Sequence, residues 1–481
     1  MYITEQKKIT ETLNTIVEYI NCMKMQSISE SLEICINAVD AILRYIKNKK
    51  INFQVNYFED LKKMMINNDN NLEQYRILVS KIINIIKKEK VRYKALFLPY
   101  KADMWTSMES IYLAAQKDEN CSPILMPIPY YDIGNPNDIR LIYEKHRFPQ
   151  KYKITDYQTY NLKAEEPDII FIHNPYDGCN NLTRVPEMFF SKNLKQVTSC
   201  LVYCPYFTTA SYTPGKSDFQ YITPGIINAD KIIVQSEAVK QIFLQYGYME
   251  EKLVVKGSPK IDAVINAMKC ENQIPVEWQE KVKGKKVFLL NTHLSYFPTS
   301  NINKNKYGDY AIRYHKEIME EFIDNPDCAL IWRPHPLMKN MLEDRFQECL
   351  SFVKDMERRI EESSNGVIDR NADYFPAFRC SDALISTYSS LINEYMVTGK
   401  PVLIFQKPLG KEANNRAPIK RNLNYFRIGE NAISFKEFKQ MVIENRDIMY
   451  DERMDMLRKA FLNLDGTAGE KSYWEIVNSI L

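Results

Sequence analysis

The sequence predicts an α/β fold: two doubly wound, Rossmann-like parallel-sheet units facing a cleft, behind an N-terminal helical extension. Three observations carry that prediction. Residues before Pro99 contain no Gly or Pro and repeat their apolar side chains at helical spacing. From Tyr93 short apolar runs alternate with amphipathic segments, the signature of a parallel sheet with crossover helices. The same alternation starts again at Lys286. The expected units are residues 1–91, 92–272 and 273–481, and a chain of 481 residues is long enough for two or three cores.

In the first unit Leu13, Ile16, Val17 and Ile20 share a helix face, as do Leu32, Ile36, Val39 and Ile42, then Leu78, Ile82, Ile83 and Ile86. Three or four helices are expected. Lys47, Lys49 and Lys50 form one basic cluster and Lys87, Lys88 and Lys90 another. Each reads as a solvated face or as a weak attachment to an anionic membrane surface.

In the second unit the expected strands are Ala95–Leu98, Ile124–Ile128, Asp168–His173, Ser199–Tyr203, Lys231–Val234 and Leu253–Val255. Helices are expected at Ser107–Gln116 and Glu237–Tyr246. Simple strand order puts the Asp168–His173 strand away from the sheet centre. The stretch from Cys270 to Lys285 reads as a linker.

In the third unit Lys286–Leu290 and Ala329–Trp332 read as strands around a helix at Tyr310–Phe322. A helix at Met341–Lys354 and a short strand at Gly366–Asp369 come next. The segment Asp373–Gln406 then compresses strand, hydroxyl-rich turn, helix, Gly stop and strand into one crossover: Cys380–Ile385, Thr387 to Ser390, Leu391–Val397, Gly399, Pro401–Phe405. This places Ser389 and Ser390 at a helix N-terminus beside the carboxyl end of a strand, where open α/β sheets bind ligands and phosphate is favoured. The alternative is that Ser389 is only an N-cap. The last helices, from Phe435 onward, are expected to complete the third unit. Two such units across a cleft make the glycosyltransferase B architecture.

Composition narrows the function. A net charge of +3 is too small to argue for nucleic acid as the main partner, and none is expected; no apolar run reaches the length of a membrane span. The start of the chain has no signal-peptide pattern, and the ten scattered cysteines read as reduced thiols of a cytoplasmic protein. No cluster has metal-ligand spacing, so no bound metal is expected.

Trp332–Pro336 (WRPHP), Asn371–Ser390 (NADYFPAFRCSDALISTYSS) and Gly399–Phe405 (GKPVLIF) resemble the CDP-glycerol glycerophosphotransferase family, as a divergent branch. So do Ala229–Glu237 and Val254–Asp262. These enzymes build teichoic-acid-like polyol phosphate chains. The resemblance implies that the third unit binds a CDP-linked donor, with its pyrophosphate at His335, Ser389 and Ser390. It extends donor-binding roles to Arg333, Thr387, Glu394, Gly257 and Ser258, and to Asp465 and Gly466 of the DG-x-A-x-E element. Two segments depart from the family. Where an HGTP-like motif is usual this chain has YCPYFTTA, Tyr203–Ala210, and where ITDYSS is usual it has ISTYSS with Thr387 in place of Asp.

Moving a glycerophosphoryl group asks the protein mainly for positioning and for neutralisation of phosphate charge. His335, between Pro334 and Pro336, is the leading catalytic candidate, with Arg333 beside it. Asp103 and His173 are the candidate bases at strand ends of the second unit, each with a structural alternative: an Asx-type turn for the aspartate, a backbone-bonded ring for the histidine. His146, His293 and His315 read as mostly structural. No permanently bound cofactor is expected. The expected partners are CDP-glycerol or a similar CDP-polyol and a polyol phosphate or glycan acceptor, lipid-linked, met in the cytoplasm or at the inner membrane surface. A nucleotide-sugar glycosyltransferase and a non-catalytic nucleotide-binding relative are the alternatives.

Overall fold

The computed structural model describes residues 1–22, 28–67, 71–209, 218–270, 274–293, 309–335, 338, 342, 347–371, 373–387, 389–405, 425–427 and 433–481. Helices Ile3–Cys22, Ile28–Lys49, Asn56–Ile66 and Leu72–Lys88 open the chain. Their apolar stripes meet in one core built on Leu13, Ile16, Ile20, Val39, Phe58, Tyr75 and Ile82. A buried carboxylate anchors this helical block to the first sheet. Asp168 accepts the backbone N–H of Thr4, in the first helix, at 2.8 Å and that of Lys94, in the first strand, at 2.7 Å. Of the basic cluster at Lys47, Lys49 and Lys50, Lys49 turns inward, donating to the Ala164 carbonyl at 2.5 Å and pairing with Glu166 at 3.4 Å.

The first sheet uses β1 (Tyr93–Leu98), β2 (Cys121–Leu125), β5 (Ile169–Ile172), β7 (Cys200–Tyr203), β8 (Lys231–Val234) and β9 (Leu253–Val255). All are parallel, in the order β2-β1-β5-β7-β8-β9. Strand β5 therefore sits inside the sheet between β1 and β7, not away from its centre as chain order suggests. Alternate side chains feed two cores, Phe97, Phe171 and Val202 on one face and Leu96, Ile170 and Leu201 on the other. A small antiparallel sheet, β3 (Tyr130–Asp132), β4 (Arg140–Ile142) and β6 (Thr183–Arg184), is an addition that the sequence pattern did not reveal.

The second sheet uses β10 (Lys286–Thr292), β11 (Cys328–Pro334), β12 (Gly366–Ile368), β13 (Ala383–Ser386), β14 (Val402–Ile404) and β15 (Tyr425–Phe426). Its order is β12-β11-β10-β13-β14-β15, all parallel, so the direction of winding reverses between β10 and β13. The expected strand start at Cys380 is corrected: Phe375–Cys380 is a short helix. Lys400 closes it, its ammonium donating to the carbonyls of Phe378, Arg379 and Ser381 at 2.7, 3.2 and 2.5 Å. The expected linker is corrected too, because Val276–Val282 is a helix that buries Trp278 and Val282 in the core of the second sheet.

The chain crosses between the sheets twice. Helix Pro259–Lys269 comes after β9 but buries Ile261 and Val264 against the second-sheet core. Helix Ala468–Ile480, expected to complete the third unit, instead packs Tyr473, Ile476 and Val477 against the first sheet. Its Tyr473 hydroxyl donates to Asp118 at 2.8 Å, beside the Tyr93 hydroxyl at 3.2 Å. The two crossing helices are joined where buried Asp262 accepts the N–H groups of Ala468 and Gly469 at 3.1 and 2.7 Å. Among the described residues no helix is long and apolar enough to cross a membrane.

Candidate functional site

Where winding reverses, two neighbouring parallel strands send their exit loops to opposite sides and leave a crevice between their carboxyl ends. In the second sheet that crevice lies beyond β10 and β13, with β11 alongside. Asn291, near the end of β10, donates its side-chain amide to Ser386 at 2.8 Å and to Ser389 at 3.0 Å. The N–H of Thr387 donates to the Asn291 carbonyl at 3.2 Å, and the Thr387 hydroxyl accepts the N–H of His293 at 2.8 Å. The N–H of His335 donates to the Thr292 carbonyl at 3.1 Å. Three strand ends are thus stitched to one another through β10. The structure brings Arg333, His335, Thr387, Ser389 and Ser390 together here, and adds His293 and Asn291.

The serines are not helix caps. Ser389 is engaged by Asn291, and Ser390, at the cap position of helix Leu391–Met396, is exposed and makes no side-chain cap bond. That helix has six residues, so its dipole is short and any phosphate affinity rests on side chains. Arg333 is only 15% exposed and lies 2.6 Å from the buried Asp369, which fixes its guanidinium under Tyr374, 5.9 Å from that ring. The imidazoles of His335 and His293 are 5.4 Å apart, centre to centre. Burial lowers the pKa of both, and for His335 the neighbouring His293 lowers it further.

Other expected site residues lie apart from this cluster or are already occupied. Glu394 is buried, 2.7 Å from Lys260 of the crossing helix, and accepts from the Tyr374 hydroxyl. Burial first, and then Glu394, holds that phenol far above its ordinary pKa. Gly257 has φ +99°, and its Cα lies against the backbone of Leu462: an added Cβ would stand 2.3 Å from the Leu462 carbonyl oxygen. Ser258 is buried at the start of the crossing helix. Asp465 and Gly466 sit at the other end of that helix, where Lys269 donates to the Asp465 carbonyl at 2.7 Å. Lys269 lies nine positions along the helix from Lys260, about 13 Å along the axis.

Of the two candidate bases of the first sheet, the structure argues against His173. His173 is fully buried at the end of β5; its Nε2 accepts the Tyr100 N–H at 3.0 Å and its Nδ1 faces the Ser107 hydroxyl at 3.2 Å. Burial holds its pKa down at about 3, so it is a neutral, backbone-bonded ring and not a base that an acceptor can reach. Asp103 is exposed and paired with Arg147 at 2.7 Å. What the first sheet does bring toward the second is the loop after β7. Thr208 accepts from the Asn393 amide at 3.3 Å, and the Tyr206 and Tyr176 hydroxyls meet at 2.9 Å. Burial pushes the Tyr206 phenol up.

Ser389 is the better fixed of the two serines. A Ser389→Ala, Ser390→Ala variant is expected to stay folded and to bind a CDP-linked donor about 10-fold more weakly or worse, since each lost hydrogen bond to a charged group is worth about 1.5–3 kcal/mol. Calorimetric titration reads this directly; unchanged affinity in the folded variant would remove the serines from the site.

A family model described as CDP-glycerol:poly(glycerophosphate) glycerophosphotransferase matches residues 212–478, more than half of the chain. Two curated relatives from Staphylococcus aureus are the teichoic acid ribitol-phosphate polymerases TarK and TarL. Each is 24% identical, over 250 and 251 residues respectively, which is 50% of this chain. The chain spans about half the length of those relatives: the matches cover 44% of TarK and 40% of TarL. Among solved structures, the crystal structure of a UDP-N-acetylglucosamine 2-epimerase superposes with a TM-score of 0.50 at 14% identity, covering 81% of this chain and 96% of that one. That likeness speaks to the fold, two Rossmann-like units in the glycosyltransferase B arrangement.

Proposed function

The chain belongs to the CDP-glycerol:poly(glycerophosphate) glycerophosphotransferase family, and from that premise we propose that it transfers a polyol phosphate from a CDP-linked donor to a hydroxyl of a cell-envelope polymer. The observation that carries this reading is the clustering of Arg333, His335, Thr387 and Ser389 at the reversal point of the second sheet. These groups suit a diphosphate: cation, imidazole and hydroxyls converge on one crevice from three strand ends. Positioning and charge neutralisation are what phosphoryl transfer asks of a protein.

The acceptor hydroxyl attacks through its oxygen the phosphorus that carries the polyol, and its proton passes to water. The new O–P bond forms as the bond from that phosphorus to the bridging oxygen breaks, and CMP leaves with the bridging oxygen. A protonated His335 stabilises the charge that grows on this leaving group. The acceptor approaches from the first sheet, where Tyr176, Tyr206 and Thr208 line the facing strand ends. It is a polyol phosphate or glycan chain, lipid-linked and met at the cytoplasmic face of the membrane.

A thermal-shift panel of CDP-glycerol, CDP-ribitol, a UDP-sugar and CMP tests the donor class. A donor present at 100 times its Kd adds about 2.7 kcal/mol to the folded state. Stabilisation by a CDP-polyol above that given by CMP alone is expected. Stabilisation by the UDP-sugar alone would overturn the donor assignment. The panel also separates a glycerol from a ribitol donor, the polyol in the names of TarK and TarL.

A further inference from the structure

The crevice holds two imidazoles, and only His335 has a role so far. We propose that His293 and His335 form a two-imidazole cradle that grips the donor diphosphate and takes up protons as it closes on it, making His293 a second phosphate-contacting residue. The inference deepens the donor reading above and rests on it.

The geometry is fixed from behind. His293 leaves β10 with its N–H donated to Thr387, and His335 leaves β11 with its N–H donated to the Thr292 carbonyl. Thr292 between them is itself pinned, accepting from the Trp332 indole at 3.2 Å. His315 completes the support. Its Nδ1 lies 2.7 Å from the Ala311 carbonyl, which only accepts, so Nδ1 carries the proton and Nε2, 2.9 Å from the Thr292 hydroxyl, accepts. The two half-buried rings therefore stand 5.4 Å apart and 77° from parallel at adjacent strand ends, close enough for one diphosphate to reach both.

The surrounding charges are compensated. On the β11 side Arg333 is paired with Asp369. On the helix after β13 Glu394 is paired with Lys260 and accepts from the Tyr374 phenol, and from β13 and its exit the hydroxyls of Ser386, Thr387 and Ser389 accept hydrogen bonds from Asn291 and His293. On the helix behind β10 His315 is neutral and Glu317 pairs with Arg427. A second proton on the empty cradle is disfavoured by its neighbour, and a diphosphate bearing two negative charges removes that penalty. The pKa values of the cradle are then higher in the complex than in the empty protein. Donor affinity should rise as pH falls through the histidine range, from above the ordinary value of about 6.5 downward, and should level off at alkaline pH where neither state binds a proton.

The probe is CDP-glycerol, whose phosphates are diesters and carry no proton that titrates near neutrality. The full chain is titrated at pH 6.5 in two buffers of different ionisation enthalpy, which gives the protons taken up per donor bound. Net uptake is expected for the wild type. His293→Gln should bind about 10-fold more weakly or worse and take up about half as many protons. A His293→Gln protein with wild-type affinity and uptake, or a wild type that binds with no uptake, overturns the proposal. With only five histidines in the chain, imidazole proton shifts of the wild type report the same uptake should the variant not fold. If no cytidine nucleotide binds, the donor reading has failed, and dimethyl pyrophosphate, likewise a diester with no titrating proton, then tests the cradle alone: more uptake in the wild type than in His293→Gln supports it, and equal uptake overturns it.

Discussion

His335→Ala should lower turnover by about 10²–10⁴-fold, far more than the roughly 10-fold by which it raises the donor KM. The ring is held at the end of β11 by its N–H bond to the Thr292 carbonyl, beside an arginine fixed by Asp369. A group placed there meets the donor diphosphate in both the ground state and the transition state. Charge on the leaving CMP exists only in the latter, so the loss falls mainly on kcat. The protonated ring is the active form. Burial and His293 both lower its pKa in the empty enzyme, so kcat/KM should decline as pH rises through a value below the ordinary 6.5 of histidine. Steady-state kinetics across pH 5 to 9 check both statements. A purely structural role would lower the melting temperature and leave the specific activity of the folded fraction unchanged.

Gly257→Ala should destabilise the protein by about 3 kcal/mol or more. Two penalties act together. The backbone at φ +99° is a conformation that a side chain strains, at about 1–3 kcal/mol. The new Cβ would also meet the Leu462 carbonyl oxygen at 2.3 Å and Ala468 Cβ at 3.0 Å. That backbone cannot retreat easily: the Leu462 N–H donates to the Gln235 carbonyl at 3.0 Å, and Asn463 donates to the Lys256 carbonyl at 2.8 Å. These bonds seat the segment that leads the C-terminal helix back to the first sheet. Gly247→Ala is the control. Its φ is +84°, but nothing lies within 4 Å of the added Cβ, so strain acts there without collision. Urea midpoints of the two variants give the difference. Equal losses would mean that the Leu462 crossing is not rigid.

Much of this architecture was legible because parallel strands buried on both faces announce themselves. Lys231–Val234 and Leu253–Val255 form with the bounds their apolar runs suggest, and the crossover around Thr387 to Ser390 folds as strand, turn, helix and strand. The pattern failed where partners are remote. Strands of two or three residues, such as β3, β4 and β6, are too short to show a period. The apolar face of Ala468–Ile480 requires burial but does not say on which sheet. His173 does end a strand, yet its neutrality stems from Tyr100 and Ser107, more than sixty residues earlier in the chain. Glu394 is acidic in sequence and occupied in space, because Lys260 arrives from the other side of the crossing. His293 read as structural on local pattern alone. Its place beside His335 appears only once β10 and β11 are paired, Asn291 opposite Arg333 and Thr292 opposite Pro334.

The central claim is that the reversal point between β10 and β13 holds the donor diphosphate. A crystal structure of the full chain with CDP-glycerol tests it most directly. Phosphate oxygens are expected within hydrogen-bond distance of His335 and Ser389, with Arg333 beside them. A different cavity of about 1210 Å³ lies between the first helix and the amino-end side of the first sheet, lined by Lys8, Tyr160, Asn161, Gln196 and Ser199. Donor density in that cavity, or at the strand ends of the first sheet, with the β10–β13 crevice holding only water, would contradict it.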